Sequence, residues 1–209
     1  MITDQDVENY LYAILPPSGP VLEEMERQAA ARKIPIVGPA VARVFRLLAE
    51  LCGAKRVFEL GSAIGYSTLW WAQAVGAGGE VFYTDSSADN AREAAGYFRR
   101  AGVEARVRIL QGEALAMFDA TPGEFDIVFL DLNKDQYAAA LRRAVGRIRP
   151  GGLLVADNVL WRGLVAHPAE TPETAAMAEF NRLLYADKRL EPVILPLRDG
   201  VAVARVTRA

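Results

Sequence analysis

From Arg56 onward the chain alternates between short, almost wholly apolar runs and stretches in which apolar residues recur every three or four positions. The first kind reads as strands covered on both faces of a parallel sheet, the second as amphipathic helices packed against it. The runs are R-V-F-E-L-G from Arg56, E-V-F-Y-T-D from Glu80, V-R-I-L from Val107, F-D-I-V-F-L-D from Phe125 and G-L-L-V-A-D from Gly152. Between the second and third, a helix is expected from Ser87, a suitable N-cap, through Ala91, Ala94, Ala95 and Phe98 to Gly102. Between the fourth and fifth, Tyr137, Leu141, Val145 and Ile148 form one stripe, with R-P-G-G at 149–152 as its stop signal. Ahead of the first strand lie about three helices. The clearest runs from Gly38 to Cys52 through Val41, Val44, Phe45, Leu48 and Leu51.

The end of the chain departs from this alternation. E-P-V-I-L-P-L and G-V-A-V-A-R-V are separated only by Arg198 and Asp199, and Asp199-Gly200 is a tight-turn dipeptide, so these two strands must run antiparallel. Successive βαβ units finished by such a hairpin resemble the seven-stranded class I methyltransferase fold more than a dinucleotide-binding dehydrogenase. The expected architecture is therefore one doubly wound, mostly parallel, Rossmann-like α/β domain over residues 1–209. Residues 1–54 would form an N-terminal helical cap and 55–209 the catalytic core. A length of 209 residues, with 52% hydrophobic and 24% charged, suits one such domain.

A net charge of −2 supplies no positive field for a phosphate backbone, which argues against a nucleic-acid partner. The basic residues from Arg142 to Arg149 fall in a helical pattern and read as a solvated face. The single cysteine, Cys52, excludes an intrachain disulfide and a multi-cysteine zinc site and reads as a core thiol in a reducing compartment. M-I-T-D-Q-D-V-E-N-Y lacks the features of a secretion signal, and no apolar run is long enough to cross a bilayer. A cytoplasmic protein with no membrane partner is expected.

Ligands of open α/β sheets bind beyond the carboxyl ends of the strands. The first such segment is E-L-G-S-A-I-G-Y-S, Glu59 to Ser67, in which Gly61 and Gly65 allow a tight turn and close backbone approach. The spacing is G-x-x-x-G with an acid two positions earlier, not G-x-G-x-x-G, and this favours a sulfonium ligand over a pyrophosphate. Asp85, ending the second strand, is placed to accept from ribose hydroxyls, and Glu113, in Q-G-E-A after the third, to reach an adenine amino group. Taken singly these are a connecting turn, a strand-end cap and a helix-start acid. Three successive strand ends with suitable groups are harder to read that way.

The fourth strand ends F-L-D-L-N-K-D-Q-Y and the fifth V-A-D-N-V-L-W-R-G, so Asp131, Asp157 and Asn158 emerge at one sheet edge. Two carboxylates and an amide suit a hard divalent cation, Mg²⁺ before Mn²⁺ or Ca²⁺. The only histidine, His167, falls in an expected loop. These motifs, with the late F-N, D-K-R and L-P-L-R-D-G pattern, resemble the cation-dependent O-methyltransferases that include catechol and caffeoyl-CoA O-methyltransferases. The resemblance covers nearly the whole chain. It implies S-adenosylmethionine as methyl donor, a metal on Asp131, Asp157 and Asn158, and Lys134 as base. It further implies cofactor contacts from Val37, Glu59, Gly61, Gly65, Tyr66, Ser67, Asp85, Gly112, Glu113, Ala114 and Asp131, a substrate contact from Trp161, and a homodimer. A phenol of pKa about 10 is a poor nucleophile at neutral pH until its anion is stabilised, which is the chemistry a cation and a base supply.

The chain departs from the family pattern at Leu132 and Asn133, where relatives resemble F-I-D-A-D-K, and at Glu113, where aspartate is more usual. No segment suited to a CoA tail is evident, so a small phenolic acceptor is expected. Other readings of the same residues are an N-methylating or metal-independent enzyme, a non-catalytic scaffold on this fold and, most distantly, a nicotinamide dehydrogenase.

Overall fold

The computed structural model describes residues 4–207. Three helices come first: α1 (Gln5–Ala13), α2 (Pro20–Arg32) and α3 (Gly38–Leu51). The alternating part follows as β1 (Arg56–Leu60), α4 (Tyr66–Ala74), β2 (Glu80–Asp85), α5 (Ala88–Arg100), β3 (Val107–Gln111), α6 (Ala114–Ala120), β4 (Phe125–Leu130), α7 (Tyr137–Val145) and β5 (Ile148–Ala156). The chain closes with α8 (Pro172–Ala186) and the strands β6 (Leu190–Leu195) and β7 (Val201–Val206). The seven strands form one sheet in the order β3-β2-β1-β4-β5-β7-β6. β1 to β5 pair in parallel, and β7 runs antiparallel to both neighbours. This is the expected class I methyltransferase architecture.

Alternation along each strand divides the core into two layers. Val57, Tyr83, Ile127, Phe129 and Val155 point to one face, where α2, α3, α4 and α5 cover them through Met25, Phe45, Trp71 and Phe98. Phe58, Leu60, Val128, Leu130 and Leu154 point to the other, covered by α6, α7 and α8 through Phe118, Leu141 and Phe180. The centre of the first layer is aromatic: Phe45 stacks on Trp71 at 4.7 Å and meets Phe129 at 4.6 Å. Ser87 caps α5 as expected, its side chain accepting from the backbone N of Asn90 at 3.2 Å. Among the described residues no helix is long and apolar enough to cross a membrane.

Three boundaries differ from the periodicity. α7 stops at Val145, and Ile148 pairs with Phe125 as the first residue of β5, so R-P-G-G is strand and not a helix stop. Arg149 holds it there by ion-pairing with Asp126 on the neighbouring strand. Arg147 donates to the carbonyls of Thr121 and Gly123, so the second half of the basic run clamps loops instead of lining a solvated helix face. The terminal hairpin has a five-residue connection, 196–200, because β6 ends at Leu195. Two hydrogen bonds, Leu197 N to Leu195 O and Gly200 N to Leu197 O, fold that connection into successive turns.

Replacing Phe45 by Ala deletes the ring that joins α3 to α4 and β4. The expected loss is about 3–5 kcal/mol, read as a lower urea midpoint in equilibrium unfolding. A loss below about 1 kcal/mol would show that this layer repacks around the gap.

Candidate active site

The strand order reverses between β1 and β4, and a cleft of about 650 Å³ opens beyond their carboxyl ends. Two glycines make the β1–α4 turn possible. Gly61 has φ 89°, and a Cβ there would lie 2.2 Å from the carbonyl oxygen of Asp131; Gly65 has φ 84°, with Phe98 2.6 Å from its absent Cβ. Their close approaches are thus to the protein's own backbone and core. Thr84 on β2 stitches the turn to the sheet. Its hydroxyl accepts from Gly61 N at 3.1 Å and donates to the Glu59 carbonyl at 2.7 Å, and its amide donates to Ser62 Oγ at 3.1 Å.

Along this half, the cleft is lined by Val37, Gly61, Tyr66, Ser67, Asp85, Gly112, Glu113 and Ala114. Glu59 and Gly65 do not line it. Glu59 lies wholly buried beneath the turn, where Oε2 accepts from the Thr68 hydroxyl and Oε1 has no partner. Burial raises its pKa to about 7, against the lowering pull of the Ser67, Thr68 and Ser62 hydroxyls. Asp85 is engaged locally, Oδ1 accepting from Ser87 N at 2.7 Å and Asn90 Nδ2 at 3.2 Å. Glu113 is the N-cap of α6: Oε2 accepts from Ala116 N at 2.7 Å and Oε1 from Gln136 Nε2 at 3.2 Å. The helix-start role read from sequence is therefore real for Glu113, and a ligand would meet a carboxylate already half engaged.

The other half is built by β4 and β5. Leu130 pairs with Ala156, so Asp131 and Asp157 leave the sheet side by side, Asp157 N donating to the Leu130 carbonyl at 3.1 Å. Asn158 follows at φ 60°, a left-handed conformation that asparagine tolerates better than most residues. Asp157 is 1% exposed; Oδ2 accepts from Asn158 Nδ2 at 3.3 Å, while Oδ1 is buried without a partner. Burial first, and then the nearby Asp131, push its pKa up to about 7. Asp131 is likewise raised by burial, opposed by the charges of Lys134 and Arg198. Among the described residues no group of three or more His, Cys, Asp or Glu side chains is arranged to hold a metal. The oxygen set here is two carboxylates and an amide.

Lys134 opens the short turn ahead of α7, yet its side chain is only 10% exposed. Nζ donates to Asn158 Oδ1 at 2.9 Å and to the Tyr137 hydroxyl at 3.0 Å, and lies 3.7 Å from Asp131 Oδ1. Burial lowers its pKa despite the opposing charges of Asp131, Asp157 and Asp199. The ring of Trp161 faces it at 5.5 Å. Tyr137, which the periodicity presents only as one member of an apolar stripe, donates its hydroxyl to the Asp157 carbonyl at 2.9 Å. Arg162, Arg198 and Asp199 also line the cleft. In the sequence Asp199 stands in the L-P-L-R-D-G pattern and in a turn dipeptide, with no place in the site assigned to it. His167 follows a short turn and stays outside the cleft.

An O-methyltransferase family model matches residues 17–207. A catechol O-methyltransferase from Niastella koreensis is 34% identical over 180 residues, covering 81% of this chain and 81% of that protein. A caffeoyl-CoA O-methyltransferase from Petroselinum crispum is 34% identical over 172 residues, 76% of this chain and 71% of that protein. The O-methyltransferase from Bacillus cereus, solved in complex with SAH, superposes with a TM-score of 0.87 at 29% identity, over 99% of this chain and all of that one. The chain therefore belongs to the O-methyltransferase family, S-adenosylmethionine-dependent enzymes that include the catechol and caffeoyl-CoA O-methyltransferases.

Proposed function

We propose that this protein transfers the methyl group of S-adenosylmethionine to a hydroxyl of a small catechol-like phenol, with a divalent cation on Asp131, Asp157 and Asn158 and with Lys134 as base. The observation that carries this reading is the environment of Lys134. Desolvation of this ammonium pushes it toward losing its proton, outweighing the neighbouring carboxylate that favours the charged form. The donor set fits a hard cation. Asp157 Oδ1 is a buried oxygen with no partner, and two adjacent carboxylates raised by burial are stabilised in their charged form by a dication. When bound, Mg²⁺ supplies Lewis acidity that eases loss of the acceptor proton and orientation of two neighbouring hydroxyls.

The rest is work for the chain itself. In this reading the half of the cleft formed by Gly61, Ser67, Asp85 and Glu113 takes the cofactor, with Val37, Tyr66, Gly112 and Ala114 around it. Glu59 and Gly65 act from beneath by shaping the turn. Trp161 walls the acceptor. Lys134 Nζ receives the hydroxyl proton, an oxygen lone pair forms the new O–C bond, the S–C bond breaks, and S-adenosylhomocysteine leaves. Proximity of two held reactants provides much of the acceleration. The whole chain acts as one methyltransferase domain. Its lone cysteine fits a reducing, cytoplasmic setting, and exposed Leu47 and Leu51 on α3 offer a surface to a second copy.

Methylation of caffeic acid or a similar catechol should disappear with EDTA and return with Mg²⁺; full activity in chelator would remove the cation from the mechanism. Lys134→Ala should lower kcat about 100-fold or more while calorimetric affinity for S-adenosylmethionine is kept. A native rate would remove Lys134 as base. Because the active form of Lys134 is the unprotonated one, turnover should rise with pH and level off below the ordinary lysine value of about 10.4. That rising limb should be absent from the Lys134→Ala profile.

A further inference from the structure

At the tip of the β6–β7 hairpin, Asp199 grips the segment that leaves β5. Its side-chain Oδ1 accepts from the backbone N of Arg162, and its carbonyl accepts from Leu160 N at 3.0 Å. The next carbonyl, that of Gly200, accepts from Val159 N at 3.0 Å. From the opposite side, Asn181 on α8 donates its amide to the Val159 carbonyl at 2.7 Å.

The gripped segment is not ordinary backbone. Trp161 and Arg162 have φ 44° and 57°, Gly163 follows at 81°, and Asn158 stands three residues earlier at 60°. Side chains such as tryptophan and arginine gain nothing locally from the left-handed region. They remain there only where their surroundings over-determine the conformation. Two short internal bonds, Trp161 N to Asn158 O at 3.1 Å and Gly163 N to Leu160 O at 2.8 Å, close the turn on itself. Among the described residues only Asp199 reaches the amide in the middle of the strained stretch. The residues whose direction this turn decides, Asn158 and Trp161, both face Lys134.

We propose that Asp199 is a positioning residue for the methyl acceptor: its carboxylate and carbonyl hold the Asn158–Gly163 turn in its strained shape, and so aim Trp161 and Asn158 at Lys134. The identity of the acceptor rests on the function proposed above, whereas the strap itself does not. Asparagine at 199 keeps an oxygen where the Arg162 amide needs one. Alanine removes it, and the serine hydroxyl suits a turn but falls short of Arg162.

Of the three tryptophans, Trp70 and Trp71 are 1% and 0% exposed, so emission accessible to a quencher reports Trp161 in the ligand-free protein. Asp199→Ala and Asp199→Ser should each raise acrylamide quenching about twofold as the turn opens locally. They should also raise the KM for a catechol acceptor about tenfold, with the KM for S-adenosylmethionine changed less than twofold. Asp199→Asn should keep native quenching and a near-native acceptor KM. Native quenching and native acceptor KM in the Ala and Ser variants would overturn the proposal, as would an Asn variant as impaired as the Ala one. If the native protein methylates no catechol, the acceptor reading fails, and the quenching comparison alone still decides whether Asp199 holds the turn.

Discussion

Two carboxylates brought side by side at the end of a parallel sheet are the constraint around which this molecule is arranged. The pairing of Leu130 with Ala156 leaves no freedom in the matter, since the next residue on each strand is an aspartate. Like charges in a poorly hydrated place raise each other's pKa and oppose folding unless something compensates. Lys134 and Arg198 supply positive charge, and the Asn158 amide donates to Asp157. Tyr137 ties the arrangement together, accepting from Lys134 and donating to the Asp157 main chain from a fully buried position on α7. Even Gly61, on the neighbouring strand end, is fixed by the carbonyl of Asp131. Compensation by side chains alone is incomplete, as the unpartnered Asp157 Oδ1 records. In the proposed function a dication completes it.

The reversal of strand order sets a division of labour in the cleft. The turn after β1 and the ends of β2 and β3 present backbone groups and acids already hydrogen-bonded within the protein, a rigid surface suited to holding a cofactor in one pose. The ends of β4 and β5 present groups with raised or lowered pKa values, suited to moving a proton. The antiparallel hairpin, which lies outside the parallel βαβ series, reaches back over this second half through Arg198 and Asp199. The hairpin thus shapes the second half of the cleft.

Strands and most helices were legible in the sequence because burial on two faces leaves almost no polar residue in β4 and in the second half of β5, while the helices keep a one-sided stripe. The legible boundaries failed where a tertiary partner overrode a local signal: R-P-G-G reads as a stop, but Asp126 and Phe125 draw it into β5. In the site, strand-end position put Asp131, Asp157 and Asn158 at one edge and the family resemblance added Lys134; all four line one cleft. It could not distinguish Glu59, whose carboxylate turns under the sheet, from acids that face the opening. Tyr137 was hidden because its ring obeys the apolar stripe while its hydroxyl serves the site. Asp199 was visible within L-P-L-R-D-G, but its role was hidden because its partner, the amide of Arg162, lies 37 residues away and carries no sequence signature.

In the proposed function the paired aspartates form a cation site in equilibrium with protons. Calorimetric titration of the ligand-free protein with Mg²⁺ near pH 6.5, in two buffers of different ionisation enthalpy, tests it directly. One ion should bind saturably with net proton release, because the raised pKa of Asp157 leaves protons for the metal to displace. Binding and proton release should both be lost in Asp131→Asn. No heat of binding in the native protein, or undiminished binding in that variant, would show that the paired aspartates do not hold the ion.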